Sequence, residues 1–556
     1  MYIGQKIIKR APFRWGIVGG GSTSNVGYKH RLGAMRDNTS FVLTAAAFDV
    51  DFERGRQFGI DLCMDPDRLY PDYKTMFEEE AKRPDGIEAV DIATPNFLHY
   101  EATKAALEAG LHVICEKPLF FEVEQGLEIK KLAEEKGKVV CVTYGFSGFE
   151  LLLQMRAMIE RGDIGKVNMI DLRYAHGFGC DPEGDVKAEG QKWRVDPKKV
   201  GRAFVLTAAA FDVDFERGKQ FGIDLCMDPD RLYPDYKTMF EEEAKRPDGI
   251  EAIDIATPNF LHYEATKAAL EAGLHVICEK PLFFEVEQGL EIKKLAEEKG
   301  KVVCVTYGFS GFDLLLQMRA MIERGDIGKV NMIDLRYAHG FGCDPEGDVK
   351  AEGQKWRVDP KKVGRAFVLG DLSTHTYYMS QLICPNEKLK QVLCDRQAFV
   401  GSRYPLEDNA YCLMRYESGA VGRMWASAVN AGDHSSQTIR IVGSKASLEW
   451  NDMHPDELRY QVQGKPEQIL IRSMDYLYPE ALEDERLGAL HYTGLIDSWS
   501  NLYKRFAIAM DAKERGDEET LNNLVYPDID HGIDGIKWIN ACVDSADAGA
   551  VWVDVN

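Results

Sequence analysis

The stretch from Phe41 to Ala203 occurs twice. It recurs as Phe204 to Ala366 with three differences, Arg56/Lys219, Val90/Ile253 and Glu150/Asp313. A repeat of 163 residues is far longer than a solenoid unit, whose period is about 20–50 residues. It reads as one tandem duplication, and the breakpoint is visible. Phe-Val-Leu stands at Phe41, Phe204 and Phe367, and continues as Thr-Ala-Ala-Ala twice and as Gly-Asp-Leu-Ser once. Without one copy the 556-residue chain would have 393 residues. Residues 1–40 and 367–556 occur once, so a function that needs every part can be assembled at most once per chain.

The unrepeated start carries a phosphate-binding pattern. Phe13-Arg-Trp-Gly-Ile-Val is a short apolar run ending in Gly19, Gly20 and Gly21. Ser22, Asn25 and Val26 follow, and then a helical stretch with Gly27 and His30. Glycine lets the backbone approach a pyrophosphate, and the free N–H groups of a helix N-terminus bind it. The strict pattern asks for Gly or Ala at position 24, where Ser24 stands, so the glycine run alone reads equally well as a plain turn. Its context is a series of alternating strands and helices. Phe41 to Phe48 is a buried strand ending at Asp49. An acidic residue there can bond the ribose hydroxyls and repel a 2′-phosphate, which favours NAD over NADP; the alternative for Asp49 is a helix N-cap. Gly86 to Ala93 is a strand broken by Thr94-Pro95-Asn96, where Asn96 can cap the next helix. Leu111 to Cys115 runs into Glu116-Lys117-Pro118, a helix covers 122–136, and Lys138 to Thr143 closes the unit. The alternation predicts a Rossmann-type, doubly wound parallel sheet (α/β), whose ligands lie beyond the carboxyl ends of the strands.

An ordered set of motifs then stands out: the glycine turn, Ala-Thr-Pro-Asn with His99 after it, Glu-Lys-Pro at a strand end, and Asp371-x-x-x-His375. In this the chain resembles the glucose–fructose oxidoreductase / inositol dehydrogenase (Gfo/Idh/MocA) family along nearly its whole length. The resemblance implies a lysine beside the nicotinamide and the substrate hydroxyl, either Lys117 or its copy Lys280, working with Asp371 and His375. It implies cofactor contacts from Gly19, Gly20, Gly21, Ser22, Asn25, Val26, Asp49, Thr94, Pro95, Asn96, Glu116 and Lys117. His99 and His262 touch the cofactor or else line a helix. His339, Trp356 and Arg357, copies of His176, Trp193 and Arg194, contact substrate or pack the core. These residue types suit alcohol oxidation: histidine takes the hydroxyl proton near neutral pH, a lysine cation stabilises negative charge on oxygen, and an aspartate one turn before the histidine can orient it or hold the substrate. No arginine directly follows the strand ending at Tyr144, where many relatives carry one.

The remainder changes texture. Tyr411 to Trp425 and Gln437 to Trp450 are pairs of strand-like runs around turns, predicting an α+β substrate domain with a large, mainly antiparallel open sheet. The resemblance implies that copies pair through this sheet as a homo-oligomer. Helices are predicted near 495–511 and 530–546. The domain order is then a Rossmann domain at 1–145, a partial substrate-domain copy at 146–203, a second Rossmann copy without first strand and glycine turn at 204–308, and the substrate domain at 309–556. Two routes assemble a complete parent: residues 1–145 with 309–556, leaving 146–308 in excess and Lys117 catalytic, or residues 1–40 with 204–308, with Lys280 catalytic; the first is expected, because N-terminal segments fold first, with one nucleotide site per chain.

The formal net charge of −22 disfavours nucleic acid and anionic membranes as partners. No apolar run is long enough to span a bilayer, and the first residues lack a secretory pattern, so a cytoplasmic location is expected. The 12 cysteines include no Cys-x-x-Cys pair and predict buried thiols, with no metal bound. Three readings of function remain: a dehydrogenase of polyols, a nucleotide-binding sensor without turnover, and a product inactivated by the duplication.

Overall fold

The computed structural model describes residues 11–22, 24, 26–35, 40–163, 206–212, 214–224, 227–343, 358–434, 436–485 and 492–555. Its contacts divide into two units, residues 1–235 and 236–556.

The first unit holds a five-stranded parallel sheet of β1 (Phe13–Gly19), β2 (Phe41–Ala47), β3 (Ala89–Ala93), β4 (His112–Glu116) and β5 (Val140–Thr143), in the order β2-β1-β3-β4-β5. The apolar runs are nearly continuous because helices cover the sheet: α1 (Gly27–Met35), α2 (Phe52–Asp61), α3 (Tyr73–Glu80), α4 (His99–Glu108) and α5 (Val123–Lys136). One core of Val90, Ile92, Leu107, Val113 and Ile129 lies on one face, and Trp15, Ile17, Ala46 and Phe48 centre the other. Helix α5 starts at a capping box, Glu122 with Gln125, and stops at Gly137 in the left-handed region. Helix α6 (Glu150–Arg161) follows, and later the unit contains α7 (Phe215–Asp224).

The second unit repeats part of this sheet. It contains α8 (Tyr236–Glu243), β6 (Ala252–Ile255), α9 (His262–Glu271), β7 (His275–Glu279), α10 (Val286–Lys299), β8 (Val303–Thr306) and α11 (Asp313–Glu323). The strands β6-β7-β8 form a three-stranded parallel sheet. The segment that would supply a strand equivalent to β2 makes only a single bridge, Ala209 to Leu232. The sequence Phe-Val-Leu-Thr-Ala-Ala-Ala is thus a strand at Phe41, where β1 lies alongside, and not a strand among its described residues 206–210. Pairing partners, more than intrinsic preference, decide strand formation.

The rest of the unit is a nine-stranded sheet: β9 (Val330–Ala338), β10 (Leu389–Gln397), β11 (Asn409–Tyr416), β12 (Val421–Ser427), β13 (Ser436–Gly443), β14 (Ala446–Asn451), β15 (Glu457–Val462), β16 (Gln468–Ile471) and β17 (Val553–Asp554). The order is β16-β15-β14-β13-β9-β12-β11-β10-β17, antiparallel except for the β12–β9 pair. Alternate residues of β11 are buried and exposed, as a one-sided sheet requires. Helices α12 (Pro360–Val363), α13 (Thr374–Ile383), α14 (Leu495–Arg515), α15 (Glu518–Asn523) and α16 (Ile529–Asp547) complete it. The predicted helices near 495–511 and 530–546 are α14 and α16.

Residues 1–145 were expected to pack on the substrate half. The Rossmann-like segment packed on 309–556 within the second unit is the second copy. Leu502, Phe506, Ala509 and Met510 of α14 form a core with Ile277, Val302 and Cys304. Helix α10 approaches α16 so closely that a Cβ on Gly289 would meet Ile533 at 2.6 Å. The physical reason is continuity: β8 leads into α11 through residues 307–312, and Ser498 and Asn501 bond the Gly308 and Gly311 carbonyls of that link.

The repeat makes a paired prediction. Leu151 is 72% exposed and its copy Leu314 is fully buried. Leu314→Ala should cost about 2–5 kcal/mol through lost transfer energy and a cavity, whereas Leu151→Ala should stay within about 0.5 kcal/mol. Denaturant unfolding of the two variants checks this; equal costs would mean the two helices share one environment.

Candidate active site

Strand β1 ends in Gly19 (φ +76°) and Gly20 (φ +69°), both in the left-handed region. A Cβ on Gly19 would lie 2.6 Å from the Ala93 carbonyl oxygen, and one on Gly27 would lie 2.2 Å from Gly20 Cα. Strand end and helix start are therefore in backbone contact. Ser22 and Val26 lie half-buried in the connecting turn; Asn25 lies outside the described residues. Ser24 Oγ accepts from the backbone N–H groups of Val26 (3.3 Å) and Gly27 (3.0 Å), so this departure from the strict pattern caps α1. The buried Thr94 Oγ1 has no hydrogen-bond partner, and the Thr94 methyl stands 3.1 Å from where a Gly19 side chain would begin. Bare glycine backbone beside an unpaired buried hydroxyl suits a dinucleotide.

Asp49 follows β2, with its carboxylate gripped by Arg54 Nε at 2.8 Å and Nη2 at 2.6 Å. The Arg54 hydrogen bond holds Asp49 below the usual carboxylate range, outweighing burial. The N-cap of α2 is Asp51, not Asp49. Asn96 does not cap a helix either: it sits inside the 3-10 turn Asn96–Leu98 after Thr94 and Pro95, and α4 begins at His99. Pro95 precedes that turn in an extended conformation that keeps the helix from starting earlier. His99 is fully buried, with Nδ1 2.9 Å from the Pro118 carbonyl and Nε2 3.0 Å from the Thr94 carbonyl. It straps the end of β3 to the loop of Glu116 and Lys117. Glu116 faces His30, whose Nε2 is 3.5 Å away, while His30 Nδ1 lies 2.8 Å from Asp91. Burial pulls the His30 imidazole down, but the Asp91 hydrogen bond and the charges of Asp91 and Glu116 raise it overall. Asp91 was not anticipated as a site residue; its acidic position inside an apolar strand was the available signal. Lys117 is exposed.

In the second unit the copy of this lysine has partners. Lys280 Nζ donates to Asp371 Oδ1 at 2.8 Å and to the Asp371 carbonyl at 2.6 Å, and its side chain is 9% exposed. Asp371 lies in the π-helical turn Leu369–Ser373, which runs directly into α13 and puts His375 one turn later. His375 is buried among aromatic rings, with Phe309 at 5.1 Å, Tyr307 at 6.1 Å and Tyr337 at 6.5 Å between centroids. Its Nδ1 has no hydrogen-bond partner. Burial, reinforced by the Lys280 charge and opposed by Asp371, holds the imidazole well below its usual value, so it is neutral. His339 lies at the end of β9, 6.3 Å from Tyr337, within the field of Asp371. Trp356 and Arg357 lie outside the described residues, as do His176, Trp193 and Arg194. His262 repeats the strap of His99, with Nδ1 3.0 Å from the Pro281 carbonyl and Nε2 2.9 Å from the Thr257 carbonyl. Tyr307, Phe309 and Tyr337 were not foreseen, because only folding stacks them on His375.

Behind this turn sits Glu407, whose Oε1 accepts from the backbone N–H groups of Phe367 and Leu369, both at 2.9 Å. Burial pushes its carboxyl up to about 7, against the hydrogen bond from Leu369 and the charge of Arg396. A folded-state value raised above the unfolded one favours the protonated, folded form. That contribution is complete below about pH 4.5 and is lost as pH rises through about 7. Glu407→Gln should therefore gain on the wild type between pH 5 and pH 8, by on the order of 2 kcal/mol. Thermal unfolding at the two pH values tests it; a constant difference would place the ionisation elsewhere.

The parallel sheet ending in a glycine turn, and the nine-stranded sheet of the second unit, are the fold of a Rossmann-class oxidoreductase. The chain belongs to the Gfo/Idh/MocA oxidoreductase family: residues 13–144 and 188–307 match "Oxidoreductase family, NAD-binding Rossmann fold", and 319–555 match "Oxidoreductase family, C-terminal alpha/beta domain". It is 62% identical over 371 residues to the uncharacterized oxidoreductase YfiI of Bacillus subtilis, covering 67% of this chain and 94% of that protein. It is 38% identical to an inositol dehydrogenase homolog of Azotobacter vinelandii solved with NAD+, covering 98% and 97% of the two chains with a TM-score of 0.53. The same homolog solved with NADH and myo-inositol gives a TM-score of 0.52 at 38% identity, covering 98% of each chain. Among the described residues no helix is long and apolar enough to cross a membrane.

Proposed function

We propose that this protein is an NAD-dependent dehydrogenase that moves a hydride between the nicotinamide and a secondary hydroxyl of a sugar, a cyclitol such as inositol, or a related polyol. The observation that carries the reading is the buried, neutral His375 with an unpartnered Nδ1, beside the Lys280–Asp371 pair. A neutral imidazole accepts the hydroxyl proton as the C–H hydride leaves. The Lys280 ammonium has three N–H groups, two of them directed at Asp371; it stabilises charge developing on the substrate oxygen. Asp371 fixes the ammonium in place. The bound nicotinamide supplies the hydride acceptor. His339, with Trp356 and Arg357 by resemblance, is proposed to meet the polyol. Lys280 is the working lysine in this reading, while Lys117 belongs to the nucleotide-binding loop of the first copy.

The glycine turn of residues 19–27 and the strand ends at Thr94 and Glu116 are proposed as dinucleotide-binding elements of the first unit. Asp49 supports NAD over NADP, although Arg54 beside it carries the charge a 2′-phosphate would use. An apolar outer face on the large sheet, with Met332, Tyr411, Leu413 and Val421 about half exposed, supports a homo-oligomer built through that sheet.

A second reading, nucleotide binding without turnover, has one observation in its favour. The unit that carries Asp371 and His375 starts its parallel sheet at β6 and has no glycine turn of its own among its described residues. Calorimetric titration with NAD and then NADP, followed by a polyol screen for reduction of the nicotinamide, separates the two. About one NAD per chain with polyol-dependent reduction supports the dehydrogenase. Binding with no reduction by any polyol moves the assignment to the second reading, and a folded chain that binds neither nucleotide rejects both.

A further inference from the structure

Three cysteines far apart in the sequence meet inside the substrate half. Cys394 of β10 and Cys412 of β11 are direct cross-strand partners with both side chains on the buried face. Helix α16 lays Cys542 over them, with its Sγ 3.9 Å from Cys412 Sγ. All three sulfurs lie within 4.8 Å of one another, and no histidine or carboxylate among the described residues joins the set. Each residue is at most 2% exposed.

We propose that Cys394, Cys412 and Cys542 form a three-thiolate site for a soft, monovalent d10 metal cation, with Cu(I) as its representative. Geometry carries the assignment. An ion about 2.3 Å from each of three sulfurs in a trigonal plane sets them about 4.0 Å apart; the Cys412–Cys542 pair stands at 3.9 Å and all three lie within 4.8 Å. Softness selects the metal class, since thiolates without oxygen or nitrogen partners favour Cu(I). Zinc would take a tetrahedral fourth ligand, and among the described residues no histidine, further cysteine or carboxylate stands there. On binding, each thiol that becomes a ligand releases its proton to solvent, and no electron is transferred. Because the sulfurs are buried, loading accompanies folding or local opening of α16. A bound ion would tie α16 to the sheet. The same helix donates from Trp538 Nε1 to Ser373 Oγ, in the turn that carries Asp371.

The test uses the full chain made in cells supplied with copper, purified without oxygen, with exposed thiols alkylated in the native state. The expected result is about one Cu(I) per chain, resistant to a competing chromogenic chelator, with a thiolate-to-copper charge-transfer band in the ultraviolet. Cys412→Ala and Cys542→Ala should each lower the affinity about tenfold or more, while Cys384→Ala, a buried cysteine outside the cluster, should not. Circular dichroism confirms that each variant is folded. Less than about one-tenth copper per wild-type chain, or copper held equally by the Cys412 and Cys542 variants, overturns the site.

Discussion

A Gly27→Ala chain is expected to lose at least about a hundredfold in affinity for NAD while the second unit keeps its stability. The added methyl group would sit 2.2 Å from Gly20 Cα and 2.3 Å from the Gly20 carbonyl oxygen. Both obstacles are backbone, so no side chain can rotate away. The start of α1 must move off the end of β1, and the turn that brings the N–H groups of Val26 and Gly27 together opens. Gly33, in the same helix, has nothing within 4 Å of its would-be Cβ, so Gly33→Ala is the matched control and should bind NAD as the wild type does. Calorimetry on the two variants decides the matter. Normal affinity in the Gly27 variant would show that the nucleotide is held away from this turn.

The second large effect concerns the lysines. Lys280→Met should lower kcat/KM by roughly a thousandfold, because it removes the cation from Asp371 and from the vicinity of His375. It should also cost about 1–3 kcal/mol of stability, since two acceptors on Asp371 lose their donor in a largely buried place. Lys117→Met, at an exposed position in the same tripeptide, should leave stability within about 0.5 kcal/mol and change turnover far less. Steady-state kinetics with the best polyol found, together with denaturant unfolding, reads out both. The reverse ranking would move the chemistry to the first copy's lysine.

The motif order carried a good deal of this. Residue types fixed the strands of the first unit closely: the run from Phe13 ends at Gly19, and the helix expected at 122–136 spans 123–136. Glycine and proline mark such ends because their backbone freedom or restriction is local. The Glu-Lys-Pro and Asp-x-x-x-His motifs were legible for the same reason, and the structure brings Lys280, Asp371 and His375 together. Local capping was read less well. Asn96 looked like a cap, and a cap was the alternative reading of Asp49, yet Asp51 caps α2 and neither of the others caps a helix, because the side chain that reaches the orphan N–H depends on where the turn closes. The aromatic wall of His375 and the three-cysteine cluster were invisible, since their members come from elements with no fixed spacing along the chain.

The repeat separates what residues dictate from what surroundings decide. In both copies the helices at 99–108 and 262–271, and those at 123–136 and 286–299, have matching bounds, and both histidine straps form. These features depend on hydrogen bonds and caps between residues inside one copy, so the sequence alone determined them. Other features diverge. Cys141 is exposed, whereas Cys304 is buried in a core with residues of α14. Asp91 bonds His30, while its copy Asp254 accepts from Tyr503 at 2.6 Å. The segment at Phe41 is a strand beside β1, and the described part of its copy is not. Burial, the partner of a buried carboxylate and the pairing of a strand are properties of whatever packs alongside, and only the tertiary structure supplies that neighbour.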